Sequence, residues 1–221
     1  MYELQAPPSS YSNISINELN DVVRALREID PNLSLELFFD VASASVLLSE
    51  ESHSIFYSPK AFGTSLQMHF EGQLREKLSL LGWVYHNGKG GAAYNISPCK
   101  KHAIYVLTGT KDVGLTEGNP TNKNHKGGEL YKAILEPQIY FQDNTVLHVL
   151  LIYYKTDHLS MELSTPNEFE NGYIQSWKQR IVFPLYIREN AINSNIDVNR
   201  KNSATTTDTE EITVKRRKNA G

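Results

Sequence analysis

Apolar positions between residues 16 and 81 recur mostly at helical spacing. Ile16, Leu19, Val22, Val23, Leu26 and Ile29 fall on one face of a helix. Ser15-Ile16-Asn17-Glu18 has the form of a capping box, in which a serine hydroxyl and a glutamate three residues later satisfy two orphan backbone N–H groups. The spacing therefore predicts a helix opening at Ser15 and stopped by Pro31. Over 33–49 two periods compete. Leu33, Leu35, Leu37, Phe39 and Val41 alternate as in a strand, while Leu35, Phe38, Phe39, Ala42 and Val46 fit a helix. The length and the alanines favour the helix. A longer helix is expected over 61–81, with Leu66, Phe70, Leu74, Leu78 and Leu81 as its stripe. Gly82 stands where a left-handed C-terminal cap would, with Trp83 as the apolar residue after it.

Past Gly82 the period shortens. Ala92–Ser97 and His102–Thr108 read as strands, and residues 109–128 as a loop of about twenty residues, a length that is usually functional or disordered. Residues 129–135 suggest a short helix before Pro137. Gln138–Gln142, Val146–Tyr154, the alternating segment around Leu159, Met161 and Leu163, and Ile174–Pro184 then read as an antiparallel meander, with Asn171-Gly172 as its clearest turn. Ser160, Glu162 and Ser164 fall on the expected solvent face of the third strand. Residues 1–14 read as a flexible arm, 15–190 as one globular domain, and 191–221 as a disordered polar tail ending in a basic run, Lys215-Arg216-Arg217-Lys218. The fold class expected is α+β: a helical N-terminal half packed on a C-terminal antiparallel sheet, with a long irregular central region.

Charge sharpens the picture at one place. Residues 82–128 hold nine of the 13 glycines and six lysines against two acids, a net charge of about +4 in a chain of −3. Glycine lets backbone N–H groups converge on an anion and lysine adds charge. Lys89, Lys100, Lys101, Lys111, Lys123 and Lys126, with Gly90 and Gly127, are the candidate anion-binding residues. The segment lacks the spacing of a P-loop. One cysteine, Cys99, excludes an internal disulfide framework, and the seven histidines show no zinc spacing. Cys99 and His102 can be drawn as a nucleophile pair, but three residues apart on a strand they face opposite ways. No secretory signal or membrane-length apolar run is legible, so a cytoplasmic protein without a membrane partner is expected.

Residues 69–83, HFEGQLREKLSLLGW, resemble the opening helix of Mrr-like restriction endonuclease domains, in which a glutamate-bearing helix ends in glycine plus an aromatic. That resemblance implies a Mg²⁺-dependent nuclease of a mobile element or defence system. Its acids would be Glu71 together with Asp112 and Asp143 at predicted strand ends. The chain departs from the pattern at Tyr153, where an acid is needed, and in Ala92–Ser97, which contains none. From the residues themselves, the leading expectation is a non-enzymatic protein without a cofactor that binds DNA, RNA or another polyanion through 82–128. A module for an acidic protein partner is a further alternative.

Overall fold

The computed structural model describes residues 14–54, 56–58, 60–88, 92–136, 140–141, 144–155 and 158–187. The chain runs β1 (Ile14–Ile16), α1 (Leu19–Ile29), α2 (Leu35–Glu51), α3 (Ala61–Leu80), β2 (Val84–Asn87), β3 (Ala93–Ile96), β4 (His102–Thr108), α4 (Gly128–Leu135), β5 (Val146–Lys155), β6 (His158–Glu170), β7 (Tyr173–Val182) and β8 (Tyr186–Ile187). The class is mixed α+β, as expected. The sheet differs from the expectation in extent and in direction. Its order is β1-β7-β6-β5-β4-β3-β2 with β8 added to β6, so it draws on the whole described chain. It is also mixed: β4 pairs with β5, and β1 with β7, in parallel.

The meander expected over 138–186 holds for β5, β6 and β7, which pair antiparallel in chain order. The parallel β4–β5 pair joins that meander to the earlier strands. Parallel neighbours need a crossover rather than a hairpin. α4 lies within that crossover and packs on one face of the sheet. Of the strand expected at Gln138–Gln142, Tyr140 lies in a turn and Phe141 in a bend; the rest falls outside the described residues. The tail 191–221 and the arm up to residue 13 fall outside them too.

The two faces of the sheet are covered differently. Ala103, Tyr105, Leu107, Leu147, Val149 and Leu151 pack with Leu130 and Ala133 of α4. Ile104, Val106, Leu150 and Ile152, their alternates, are equally buried on the other face, where α1 and α3 lie. α1 is tied to the turn after α3 by Trp83, whose indole N–H donates to Asp30 at 2.8 Å.

Local codes account for α2 and α3. Ser34 caps α2 by accepting from the Leu37 N–H at 3.2 Å. α3 ends in a Schellman motif: Gly82 at φ 82° donates to Ser79 O and Trp83 donates to Leu78 O. The capping box expected at Ser15 does not form. Ile14–Ile16 instead pairs with Gln179–Ile181 at the sheet edge, and Glu18 is the N-cap of α1 with no side-chain cap. A short ladder of backbone bonds there outweighs one side-chain cap, worth about 1 kcal/mol. Among the described residues no helix is long and apolar enough to cross a membrane.

The turn between β6 and β7 carries Asn171 at φ 50° and Gly172 at φ 81°. A Cβ on Gly172 would also run into the His125 ring. Gly172→Ala is expected to lower stability by more than about 1 kcal/mol, read as a shift of the urea midpoint at unchanged slope.

Candidate functional site

Among the described residues, the lysines of the glycine-lysine segment do not form one surface. β4 runs through its middle and is seven residues long, about 20 Å at strand rise. Lys100 and Lys101 precede that strand, whereas Lys111, Lys123 and Lys126 follow its far end. Lys89 and Gly90 lie outside the described residues. Gly127 is the N-cap residue of α4 without a side-chain cap, and a Cβ there would meet nothing within 4 Å. The acid in the first turn of α4, Glu129, accepts a hydrogen bond from the Tyr140 hydroxyl.

Residues 109–127 are irregular, as the sequence suggests, and are pinned along their length to the sheet. Thr110 N–H donates to Thr121 O at 2.9 Å and Lys123 N–H donates to Thr108 O at 2.8 Å, closing the loop on itself. Asn122 is fully buried. Its amide donates to Asn124 O and Gly172 O and its oxygen accepts from Ile174 N–H, each within 2.9 Å. Trp177 donates its indole N–H to Pro120 O at 2.8 Å.

The strongest clamp is ionic. The Arg180 guanidinium meets Glu162 twice, at 3.0 and 2.6 Å, and donates to the carbonyls of Leu115 (2.9 Å) and Gly118 (2.7 Å). Glu162 also accepts from the Gly114 N–H at 3.0 Å and the Ser164 hydroxyl at 2.8 Å. Glu162 is therefore not on a solvent face, contrary to its strand alternation. It is wholly buried and serves the loop.

This anchoring brings Lys123 and Asn124 to the carboxyl ends of the parallel strands β4 and β5. There a cleft of about 620 Å³ opens beside the first half of α3. Crevices outside the carboxyl ends of parallel strands are where ligands of α/β sheets lodge, and this volume suits a small ligand or one nucleotide unit. Phe62 and Tyr154 form an aromatic wall, with ring centroids 5.0 Å apart. Lys60 stands on the α3 side and Lys123 on the loop side.

Among the described residues that line the cleft, Glu71 is the acid. Gln67, one turn earlier on α3, donates its amide to Glu71 Oε1 at 2.9 Å and accepts the Thr108 hydroxyl at 3.1 Å. Burial raises the Glu71 pKa above the usual carboxylate value, opposed by the Gln67 hydrogen bond and by the charges of Arg75 and Lys126. Burial lowers the Lys126 ammonium pKa, with Glu71 opposing. Glu71 and Lys126 therefore act on each other across the same region. Tyr105 is pushed up to about 12 by burial and then by Glu71.

Other sequence candidates sit elsewhere. Asp112 lies in the anchored loop, packed against Gly118, and does not line the cleft. Asp143 falls outside the described residues. Among the described residues no group of three or more His, Cys, Asp or Glu is placed to hold a metal ion. Cys99 is exposed, with its thiol 3.3 Å from Ser97 Oγ, a hydrogen bond that lowers its pKa. His102 is turned instead toward His148, Nδ1 to Nε2 at 3.0 Å. Tyr94 and Tyr105 are core residues, while exposed Tyr85 lies under the Arg75 guanidinium at 5.4 Å. Sequence reasoning missed Lys60, Phe62, Gln67, Thr108 and Asn124. The one legible signal was the Gln67–Glu71 i,i+4 pair beside an apolar stripe.

Comparison with known proteins yields no relative: no family model, no curated protein and no solved structure matches the chain.

Proposed function

We propose that the protein binds a nucleic acid or a similar polyanion at the cleft between α3 and the ends of β4 and β5. The observation that carries this reading is the placement of Lys123. The anchored loop folds it back beside Thr108, onto a cleft that also holds Lys60 and the Phe62–Tyr154 wall. Lys126 adds a third ammonium close enough to interact with Glu71. Cations beside aromatic faces are the combination that holds a single strand, with phosphates on the ammonium groups and bases on the rings. The basic segment thus contributes through its second half, and α3 supplies the opposing side.

The test is fluorescence anisotropy with a labelled single-stranded oligonucleotide over a salt series. Three neutralised phosphates predict a log–log salt slope of about −2. The combined variant Lys60→Ala, Lys123→Ala, Lys126→Ala should lose most of that slope and weaken binding at least about tenfold. Absence of binding at low salt, or a triple variant that binds like the parent, would overturn the reading. Adding Mg²⁺ to the same samples and following strand length tests for cleavage, to which Glu71 in the cleft would be relevant.

A further inference from the structure

A carboxylate is out of place in a cleft for phosphates unless it faces something other than phosphate. Glu71 is held there deliberately. The Gln67 amide is fixed at both ends, its oxygen by the Thr108 hydroxyl at 3.1 Å and its nitrogen by Glu71 Oε1 at 2.9 Å. The same nitrogen lies 3.5 Å from Val106 O. These contacts set the amide orientation and hold the carboxylate in one pose. Among the described residues, Glu71 Oε2 accepts no hydrogen bond. The carboxylate is half-buried and lines the cleft, so its remaining acceptor capacity is open to what enters there.

From this geometry we propose that Glu71 reads the Watson–Crick edge of a guanine in a single strand bound across the cleft; the inference rests on the polyanion reading above. The ammonium groups of Lys60 and Lys123 would hold the flanking phosphates, and the Phe62–Tyr154 wall would take the base face. An unpaired base recognised by stacking plus hydrogen bonds on its Watson–Crick edge is the usual mode for single strands.

Base chemistry selects guanine. A carboxylate only accepts, so it needs donors side by side. Guanine offers N1–H and the N2 amine next to each other. Adenine and cytosine place an amine beside a ring nitrogen that is itself an acceptor and repels the second carboxylate oxygen. Uracil has a single N–H between two carbonyls, and inosine lacks the N2 amine. The charges around the carboxylate agree with such a role. Arg75 on the same helix and Lys126 from the loop both favour its ionised form against burial.

The experiment uses the full chain and short uridine oligonucleotides carrying one central guanosine, inosine or adenosine, read by anisotropy at low salt. Guanosine should bind at least about fivefold tighter than inosine, the lower end of what a bidentate base contact supplies. Glu71→Gln keeps the side-chain size and an acceptor for the Gln67 amide. It should bind guanosine and inosine alike while keeping its salt dependence. Equal binding of guanosine and inosine by the unaltered protein, with normal salt dependence, would overturn the guanine inference and leave the polyanion reading standing. A guanosine preference that survives in Glu71→Gln would overturn it as well. Failure of every oligonucleotide to bind at low salt would overturn both readings. The guanosine–inosine comparison is made on the unaltered chain and does not depend on how the variant folds.

Discussion

Arg180→Met is expected to destabilise the fold by about 3–5 kcal/mol, because it leaves the buried Glu162 carboxylate without its cation. Arg180 is 2% exposed and Glu162 is 0% exposed, so neither charge can be screened by water once the other is gone. The loss extends beyond the ion pair. The guanidinium also satisfies the carbonyls of Leu115 and Gly118, which would be left short of donors. Urea unfolding of Arg180→Met, Glu162→Leu and the double variant would measure this. Each single variant should cost several kcal/mol, and the double variant should recover part of the sum, since it removes the unpaired charge. Recovery should be incomplete because the loop carbonyls, and the Gly114 N–H that Glu162 accepts, remain unpaired. A single variant costing less than about 1 kcal/mol would show that water reaches the site.

The same variant links stability to the proposed function. The loop clamped by Arg180 is the one that carries Lys123 and Asn124 to the cleft. Amide exchange over residues 110–122 should therefore rise in Arg180→Met even where the sheet stays protected. Oligonucleotide affinity should fall with it, although Arg180 does not line the cleft. Loop residues held by a rigid scaffold are where binding groups are commonly found, and here the scaffold is an ion pair between neighbouring strands.

The elements that were legible in the sequence are those with local codes. α3, its Schellman end at Gly82 and the turn at Asn171-Gly172 each depend on residues a few positions apart. β4 was legible as a short apolar run, and it is buried on both faces. What failed depends on partners far along the chain. Ile14–Ile16 became a strand because β7, over 160 residues later, offered an edge. Ser160, Glu162 and Ser164 suggested a wet face because alternation carries no information about Arg180 on the next strand. The interruption that Arg180 makes in the β7 pattern was the available hint. The site was partly legible. Glu71 was singled out through the nuclease resemblance of 69–83, and Lys123 and Lys126 on charge. The grouping of Lys100 and Lys101 with Lys111, Lys123 and Lys126 into one surface failed because β4 separates them by its own length. Lys60, Thr108 and Asn124 carry no signature that distinguishes them before the strands are paired.

Stability should also fall as the pH drops below about 6.5, with His148 as a principal cause. Its imidazole is buried between two partners. Nε2 lies 3.0 Å from His102 Nδ1, and Nδ1 lies 3.1 Å from Thr165 Oγ1. The two rings stack at 5.3 Å and 25°. One proton bridges the facing nitrogens, and a second there would set two N–H donors and a buried positive charge against each other under α1. Burial, and then the neighbouring His102, push the His148 pKa down to about 3. His102 is lowered too, by burial and Lys101, with Asp30 opposing. Glu28 of α1 and Lys178 of β7 also line the small cavity beside the pair. The sign follows from linkage. Below the unfolded value of about 6.5 the unfolded chain takes up a proton that the folded His148 refuses until about pH 3, so stability present above 6.5 is lost as the pH falls. By about pH 4.5 the loss attributable to His148 should reach roughly 2–3 kcal/mol. Carboxylates titrate in the same range, so the measurement is a difference. His148→Gln can still bond to His102 and Thr165 but does not titrate. The stability of the parent minus that of His148→Gln, from urea unfolding at several pH values, should fall by that amount between pH 7 and about 4.5. A difference that stays flat across this range would mean that the folded protein protonates His148 as readily as the unfolded chain does.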